Sequence, residues 1–202
     1  MWTKLLTRLQ RFAEDTRGNM AIEAVIWLPL ILGVLSAMFS LHDTYRYKGL
    51  NTKAAYTISD ALSRETDPID DAYLDGMVDV LEFLTISEGP YSLRVTLVRY
   101  DGDTTNANGT INVGEGYTVE WSQVRGNFTA LDNAMLAEAK AELPIMLHNE
   151  RVILVETRTD YVPPYIVPGL TATDMFYTYG FTRPRFAPKI VWKDADQVAS
   201  TN

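Results

Sequence analysis

Residues 18–41, GNMAIEAVIWLPLILGVLSAMFSL, decide how this chain is built. From Ala21 to Leu41 the only ionisable residue is Glu23. At about 1.5 Å per residue, a helix over these 21 residues is about 30 Å long, which matches the hydrocarbon thickness of a bilayer. Pro29 lies within the run, and membrane-spanning helices tolerate an internal proline better than soluble helices do. The stretch therefore predicts a transmembrane helix over residues 19–41.

Charges on either side of this run predict its orientation. The leader, residues 1–18, holds four basic and two acidic residues, Lys4, Arg8, Arg11, Arg17, Glu14 and Asp15. The acidic excess of the chain, whose net charge is −8, follows residue 42. Because basic flanks stay in the cytoplasm, we expect a single-pass membrane protein with a cytoplasmic N-terminus and an exported C-terminal domain. No basic stripe is recognised beyond residue 17, so no nucleic-acid partner is expected.

The sequence offers little chemistry for catalysis or cofactor binding. It contains no cysteine, which excludes disulfides, thiolate metal sites and cysteine nucleophiles. Its two histidines, His42 and His148, are far apart, and no shared metal site is expected. No serine stands in a nucleophile-elbow context and no glycine-rich phosphate loop with lysine occurs. We therefore predict no enzyme activity, no cofactor and no metal.

Three interpretations of the apolar run remain open. A cleavable secretory signal has a shorter core of about 7–15 residues and a small-x-small site, which SAMFSLHD (36–43) lacks. A plain uncleaved anchor explains the length but not Glu23, because a carboxylate in a membrane helix costs roughly 2.5–3.5 kcal/mol unless it lies at headgroup level or is paired. The third interpretation takes the basic leader, Gly18 and the apolar helix with Glu23 in fifth position after the glycine as one signal.

This third arrangement resembles a type IV prepilin. The wider stretch RFAEDTRGNMAIEAVIWLPLILGVL (11–35) is similar to the TadE/TadG-like family of tight-adherence (Flp pilus) systems. The shared features are a phenylalanine, an acidic pair, an Arg-Gly, a glutamate and a proline in the apolar helix, here Phe12, Glu14, Asp15, Arg17, Gly18, Glu23 and Pro29.

The resemblance implies the site residues and partners. A prepilin peptidase would cut between Gly18 and Asn19, and Glu23 would pair with the new N-terminal amine of a neighbouring subunit, which sets assembly registry and is not catalytic. The implied partners are the inner membrane, the prepilin peptidase, other Tad pilins and pilus assembly proteins. Because Ala24 stands where Flp major pilins carry tyrosine, and about 160 residues follow the helix, the resemblance implies a minor pilin or pseudopilin.

The exported part is predicted to be α+β. Apolar residues at three- and four-residue steps extend the first helix over 42–66, and Asp67-Pro68 is expected to start a second helix. Alternation predicts strands over YSLRVTLVRY (91–100) and YTVEWSQVRG (117–126), joined as a long-looped hairpin. The remaining predicted elements are a helix capped by Thr129 over 130–143, strands over 151–162 and 174–186, and a loose tail over 193–202. The expected architecture is a transmembrane helix that continues as a long helix, followed by an antiparallel-sheet domain with packed helices over 67–192, which is pilin-like.

Two other functions stay open. The first is a membrane-anchored periplasmic binding or sensory domain with an uncleaved anchor, and the second is an anchored enzyme. The C-terminal tyrosines Tyr161, Tyr165, Tyr177 and Tyr179 either fill core and surface or form a partner-binding face.

Overall fold

The structure, a computed structural model, describes residues 19–86, 89–102, 104–105, 111–112, 116–139, 143–160 and 176–193. The predicted leader 1–18, most of the loop 103–115 and the predicted tail beyond 193 lie outside the described residues. The described chain divides into two units, one ending at Asp43 and the other beginning at Thr44.

The first helix is the longest element. Helix α1 covers Asn19–Arg64, 46 residues, and includes Pro29 in its interior. In the first unit its side chains from residue 20 to 35 are exposed. In the second unit the same helix has one buried stripe, formed by Asn51, Ala54, Ala55, Ile58 and Leu62. The predicted apolar face of the extension is therefore confirmed at Ala54, Ile58 and Leu62.

The second unit is built on one four-stranded antiparallel sheet. Its strands are β1 (Tyr91–Tyr100), β4 (Tyr117–Arg125), β5 (Arg151–Thr159) and β6 (Tyr177–Thr182), in the spatial order β4-β1-β5-β6. Two short strands, β2 (Thr104–Thr105) and β3 (Ile111–Asn112), pair with each other in the connection between β1 and β4. The predicted hairpin of β1 and β4 is confirmed, with a register irregularity after Leu97. An α+β fold with a long N-terminal apolar helix is thus confirmed.

Helices cover both faces of this sheet. Leu93, Val95 and Leu97 of β1 join Ile153 and Val155 of β5 on the face that packs against α1 and against α2 (Asp71–Thr85). The intervening residues of these strands point to the second face, where Val98 and Leu154 pack with Leu131 and Leu136 around α3 (Asn133–Glu138). Because β1 is covered on both faces, its burial is nearly continuous.

Two predicted helix starts are wrong. Helix α2 begins at Asp71 with Asp70 as its cap, whose side chain accepts a hydrogen bond from the Tyr73 backbone N–H, and not at Asp67-Pro68. The reason is that Ile69 is held extended: its N–H donates to Val191 O at 2.9 Å and its carbonyl accepts from Lys193 N–H at 2.8 Å.

Helix α3 likewise begins later than expected, at Asn133 with Asp132 as its cap, and ends at Glu138. Thr129 does not cap it, because the segment before the helix is bound to the sheet. The Thr129 carbonyl accepts from Arg94 Nη1 at 2.9 Å, and Leu131 N–H donates to Ser122 Oγ at 2.9 Å.

A belt, residues Arg183–Lys193, closes the face of the sheet that packs against α1 and α2. It leaves β6, and Arg185 N–H donates to Ser63 O at the end of α1 at 2.8 Å. It then pairs with Ile69, and Trp121 Nε1 on β4 donates to Ile190 O at 3.1 Å. The Ile190 side chain is buried in the core. The belt therefore links the two edge strands across the corner between α1 and α2, and the predicted last strand 174–186 is shorter because residues after Thr182 form this belt.

Candidate functional site

The first unit presents an apolar helix surface that carries one carboxylate. The described chain holds one helix long and apolar enough to cross a membrane, by length and composition. Trp27, Leu28 and Leu30 are among its many exposed apolar side chains. Glu23 is exposed among them. Such a surface is suited to lipid or to the apolar face of another helix, and not to water.

Backbone and polar groups along this helix are compatible with an apolar environment. Ser36 Oγ donates to the Leu32 carbonyl at 2.8 Å, so its hydroxyl is satisfied inside the helix. Pro29 has no N–H and leaves the carbonyl one turn earlier, at Val25, without its helical donor. These are features that membrane-spanning helices accommodate.

The residues expected to act in processing and assembly are only partly within the described chain. Gly18 lies outside it. Asn19 is the first residue of α1, and Glu23 follows one turn later, about 6 Å along the helix axis. The structure therefore places Glu23 about one helical turn after the residue whose amine a cut after Gly18 would expose.

A second candidate site is a cavity on the sheet face away from α1. Its volume is about 230 Å³. Its walls are apolar and aromatic residues, Leu131, Met135, Leu143, Leu154, Tyr177, Tyr179 and Phe181. The rings of Tyr177, Tyr179 and Phe181 follow one another along β6 with centroids 6.0 and 5.8 Å apart. Two of the four C-terminal tyrosines, Tyr177 and Tyr179, thus belong to this aromatic row, while Tyr161 and Tyr165 lie outside the described residues.

An ion pair forms the floor of the cavity. Arg94 on β1 donates through Nε and Nη2 to the two carboxylate oxygens of Glu156 on β5, which also accepts from the Tyr177 hydroxyl at 2.6 Å. The guanidinium carbon of Arg94 lies 5.1 Å from the centroid of the Phe128 ring. Because these groups satisfy one another, the pair fixes the cavity floor and the segment that carries Phe128 and Thr129.

Sequence reasoning missed Arg94, Glu156 and a third buried polar residue, Asn51. The Asn51 side chain donates to Phe176 O at 2.5 Å and accepts from Thr157 Oγ1 at 3.2 Å, so it fixes α1 to β5 and to the start of β6. A charged residue in the middle of a predicted strand is the sequence signal for Arg94 and for Glu156. Their pairing could not be predicted, because it requires β1 and β5 to be adjacent in the sheet.

Outside this floor, charged groups bind elements of the fold to one another. Arg125 on β4 donates to Asp75 at 2.5 Å and to Asp71 at 2.6 Å on the first turns of α2. Partial burial lowers the pKa of Arg125, but the hydrogen bonds and charges of Asp75 and Asp71 more than offset this and raise it. Among the described residues no group of three or more histidine, aspartate or glutamate side chains could hold a metal ion.

No protein-family model, no curated protein and no solved structure matches this chain.

Proposed function

We propose that this chain is a minor pilin, or an assembly factor, of a tight-adherence (Flp-type) pilus in a bacterial inner membrane. The observation that supports this proposal most is that α1 has an exposed apolar part followed by a part buried in the domain core. Residues 20–35 expose an apolar surface with a single carboxylate, and the same unbroken helix forms part of an antiparallel-sheet core from Asn51 to Leu62. A bare helix followed by a helix-covered sheet is the pilin-like layout that the sequence resemblance implies.

Glu23 has a defined role in this proposal. A prepilin peptidase on the cytoplasmic side removes residues 1–18 and leaves a charged amine on Asn19. When the apolar helices of two subunits pack laterally in the membrane, Glu23 of one subunit pairs with the amine of its neighbour. An ion pair offsets the roughly 2.5–3.5 kcal/mol that an unpaired carboxylate costs inside a membrane helix, so only the correct axial register is favourable. The exported α+β domain then makes contacts with other subunits.

Processing is tested by the N-terminal sequence of the mature protein. The full chain is co-expressed with the cognate prepilin peptidase, and we expect the protein to begin at Asn19. Gly18→Ala should block the cut. Gly33→Ala is the matched control, because it changes a glycine within α1 whose surroundings are open, and it should be cut normally. An intact Met1 in the presence of the peptidase would instead support an uncleaved anchor.

The registry role is tested separately with Glu23→Ala and Glu23→Gln. Both variants should be cut and inserted, because the span becomes more apolar or loses its charge, yet pilus assembly should fail. Normal piliation in either variant would remove the registry role.

A membrane-anchored periplasmic binding domain is the second candidate, and the aromatic cavity above Arg94 and Glu156 favours it. In that case Gly18→Ala and Glu23→Ala leave function intact, whereas Tyr179→Ala at the cavity wall abolishes it. The two candidates therefore make opposite predictions for the same set of variants.

A further inference from the structure

The outer face of α2 combines exposed apolar side chains with acidic ones. Residues 65–88 contain eight acidic residues and no lysine or arginine. Four residues of the second half of α2 and its cap, spaced by three and four and therefore on one helix face, form what we call the α2 patch: Asp79, Glu82, Phe83 and Ile86. Phe83 is 80% exposed and Ile86 is 66% exposed. Asp79 and Glu82 are exposed as well, and neither forms an ion pair with another described residue.

The belt has the opposite charge. Residues 183–193, RPRFAPKIVWK, contain four basic residues and no acidic one, in a chain whose net charge is −8. The expectation that no basic stripe follows residue 17 is therefore wrong here; the prolines and apolar residues between the charges obscure the pattern. Phe186 is 69% exposed. Lys189 is exposed and has no ion-pair partner among the described residues.

Two of the belt's arginines stay accessible although they are paired. Arg183 binds Glu150 at 2.6 Å and Arg185 binds Asp60 at 3.4 Å, yet more than half of each arginine side chain is exposed. The exposed part of the belt is thus an apolar ring, Phe186, between cationic groups. It is the charge complement of the α2 patch, which has apolar side chains beside carboxylates.

Within one chain the α2 patch and the belt lie at separate places. The belt joins the α2 region at Ile69, before the helix begins. Asp79 to Ile86 lie 10–17 residues further along, which is about 15–25 Å of helix. The belt's other hydrogen bonds are with Ser63 at the end of α1 and with Trp121 on β4. The α2 patch and the belt therefore face outward at separate places on the same domain.

We propose that the α2 patch of one copy of this chain docks on the belt of a second copy. Phe83 and Ile86 pack against Phe186, while Asp79 and Glu82 face Lys189 and Arg185. One such contact leaves the pair with one free α2 patch and one free belt, through which further copies add to form a row or a ring. Two α2 patches placed together would oppose four carboxylates, which disfavours a contact of patch on patch. This inference uses only the folded domain and does not rest on the proposed pilus function.

Disulfide trapping tests the contact in the full chain, which has no cysteine of its own. Two differently tagged copies, one with Asp79→Cys and one with Lys189→Cys, are co-expressed and oxidised in membranes. We expect a disulfide between the two tags. Copies that both carry Asp79→Cys should give none, and neither should Asp79→Cys with Thr57→Cys, a control at an exposed position of α1. A bond in the Asp79→Cys pair alone, or equal bonds in all pairs, would overturn the proposal.

Charge reversal gives an independent test. Asp79→Lys and Lys189→Glu each change a residue without an ion pair in the described chain, so the fold should be kept, as circular dichroism would verify. In sedimentation of the detergent-solubilised full chain, we expect each variant alone to self-associate about tenfold more weakly, and a mixture of the two to regain association through the reversed pair. Raising the salt from about 0.05 to about 0.5 M should weaken the wild-type contact.

Several results would contradict the proposal in this second test. They are unchanged self-association of both variants, absence of recovery in the mixture, and binding of anionic vesicles or an acidic peptide to the belt with no self-association. Association through the apolar helices, which the proposed function needs, would be insensitive to both reversals, so failure of one proposal is distinguishable from failure of the other.

Discussion

Arg94 and Glu156 stand directly opposite each other on β1 and β5, and only 10% and 3% of their side chains are exposed. Arg94 also reaches the Thr129 carbonyl, and Glu156 accepts from the Tyr177 hydroxyl. The pair therefore joins four segments of the second unit: two central strands, the turn before α3, and the edge strand β6. A charge left alone at this position would be buried without compensation.

Breaking this pair on one side should cost more stability than replacing both partners. We expect Arg94→Met to lower the free energy of unfolding by about 3–5 kcal/mol, because it leaves the Glu156 carboxylate buried, and the double variant Arg94→Met/Glu156→Leu to lose less. Urea unfolding of the detergent-solubilised chain, followed by circular dichroism, measures both. Arg64→Met is the control: its pair with Asp60 is exposed, and it should cost less than about 1 kcal/mol. A double variant that is less stable than Arg94→Met would contradict this account.

Two glycines should respond to alanine in opposite ways. Gly126, in the turn after β4, has a φ of +75°, and a Cβ there would lie 2.3 Å from the Tyr91 carbonyl oxygen. Gly126→Ala should therefore lower the free energy of unfolding by about 1–3 kcal/mol. Gly49 lies within α1 with nothing within 4 Å of an added Cβ, so Gly49→Ala should raise it by up to about 1 kcal/mol. Thermal unfolding of both variants, compared with wild type, measures the sign of each change in the free energy of unfolding. Destabilisation by Gly49→Ala would contradict the open surroundings of Gly49.

The periodicity of apolar residues predicts most of the helices and strands. Local capping signals gave the wrong helix starts where hydrogen bonds from distant segments hold the chain. The apolar run, the spacing of Ala54, Ile58 and Leu62, and the alternation of β1 depend on each element's own residues, so the sequence predicts them. The start of α2 depends on Ile69 being held by the belt, about 120 residues later, and no cap signal near Asp67 contains that information. The start of α3 is set in the same way, because the Thr129 carbonyl accepts from Arg94 and Leu131 N–H donates to Ser122.

The candidate sites also differ in whether their residues are close in sequence or are brought together by the fold. Gly18, Asn19 and Glu23 are close in sequence, and the hypothesis of a processed pilin comes from the resemblance of this stretch to prepilin signals. The cavity floor needs β1 next to β5, and the contact of Asn51 with Thr157 joins residues 106 positions apart. Mid-strand charges and a helical asparagine give a signal in the sequence, but the partner of each is decided by topology.

The belt is expected to hold the core closed through Ile190. Its side chain is fully buried against residues from α1, α2 and the sheet, whereas the adjacent Val191 is 42% exposed. Ile190→Ala should lower the free energy of unfolding by about 2–5 kcal/mol, and Val191→Ala by much less. The emission of Trp121 and Trp192, whose ring centroids are 6.0 Å apart beside Ile190, reports the belt locally. Equal effects of the two substitutions would show that the belt does not contribute through this buried side chain.

Stability at alkaline pH should depend on Tyr73. Its hydroxyl donates to Glu65 Oε1 at 3.0 Å, and burial of the ring, followed by the hydrogen bond and charge of Glu65, raises the pKa of Tyr73 well above its ordinary value of 10.0. Above pH 10 the unfolded chain loses this proton while the folded chain keeps it, so the unfolded state binds fewer protons and the free energy of unfolding falls as the pH rises. Below pH 10 both states hold the proton and Tyr73 adds no pH dependence.

The test compares Tyr73→Phe with wild type between pH 8 and about pH 11. Tyr73→Phe loses the hydrogen bond to Glu65 and should be less stable by about 1 kcal/mol at pH 8, but its stability should fall less steeply above pH 10. Tyr56→Phe, at an exposed position of α1, should keep the wild-type slope. If Tyr73→Phe and wild type instead run parallel through pH 10 and above, the Tyr73 hydroxyl is not held protonated by its burial and by Glu65.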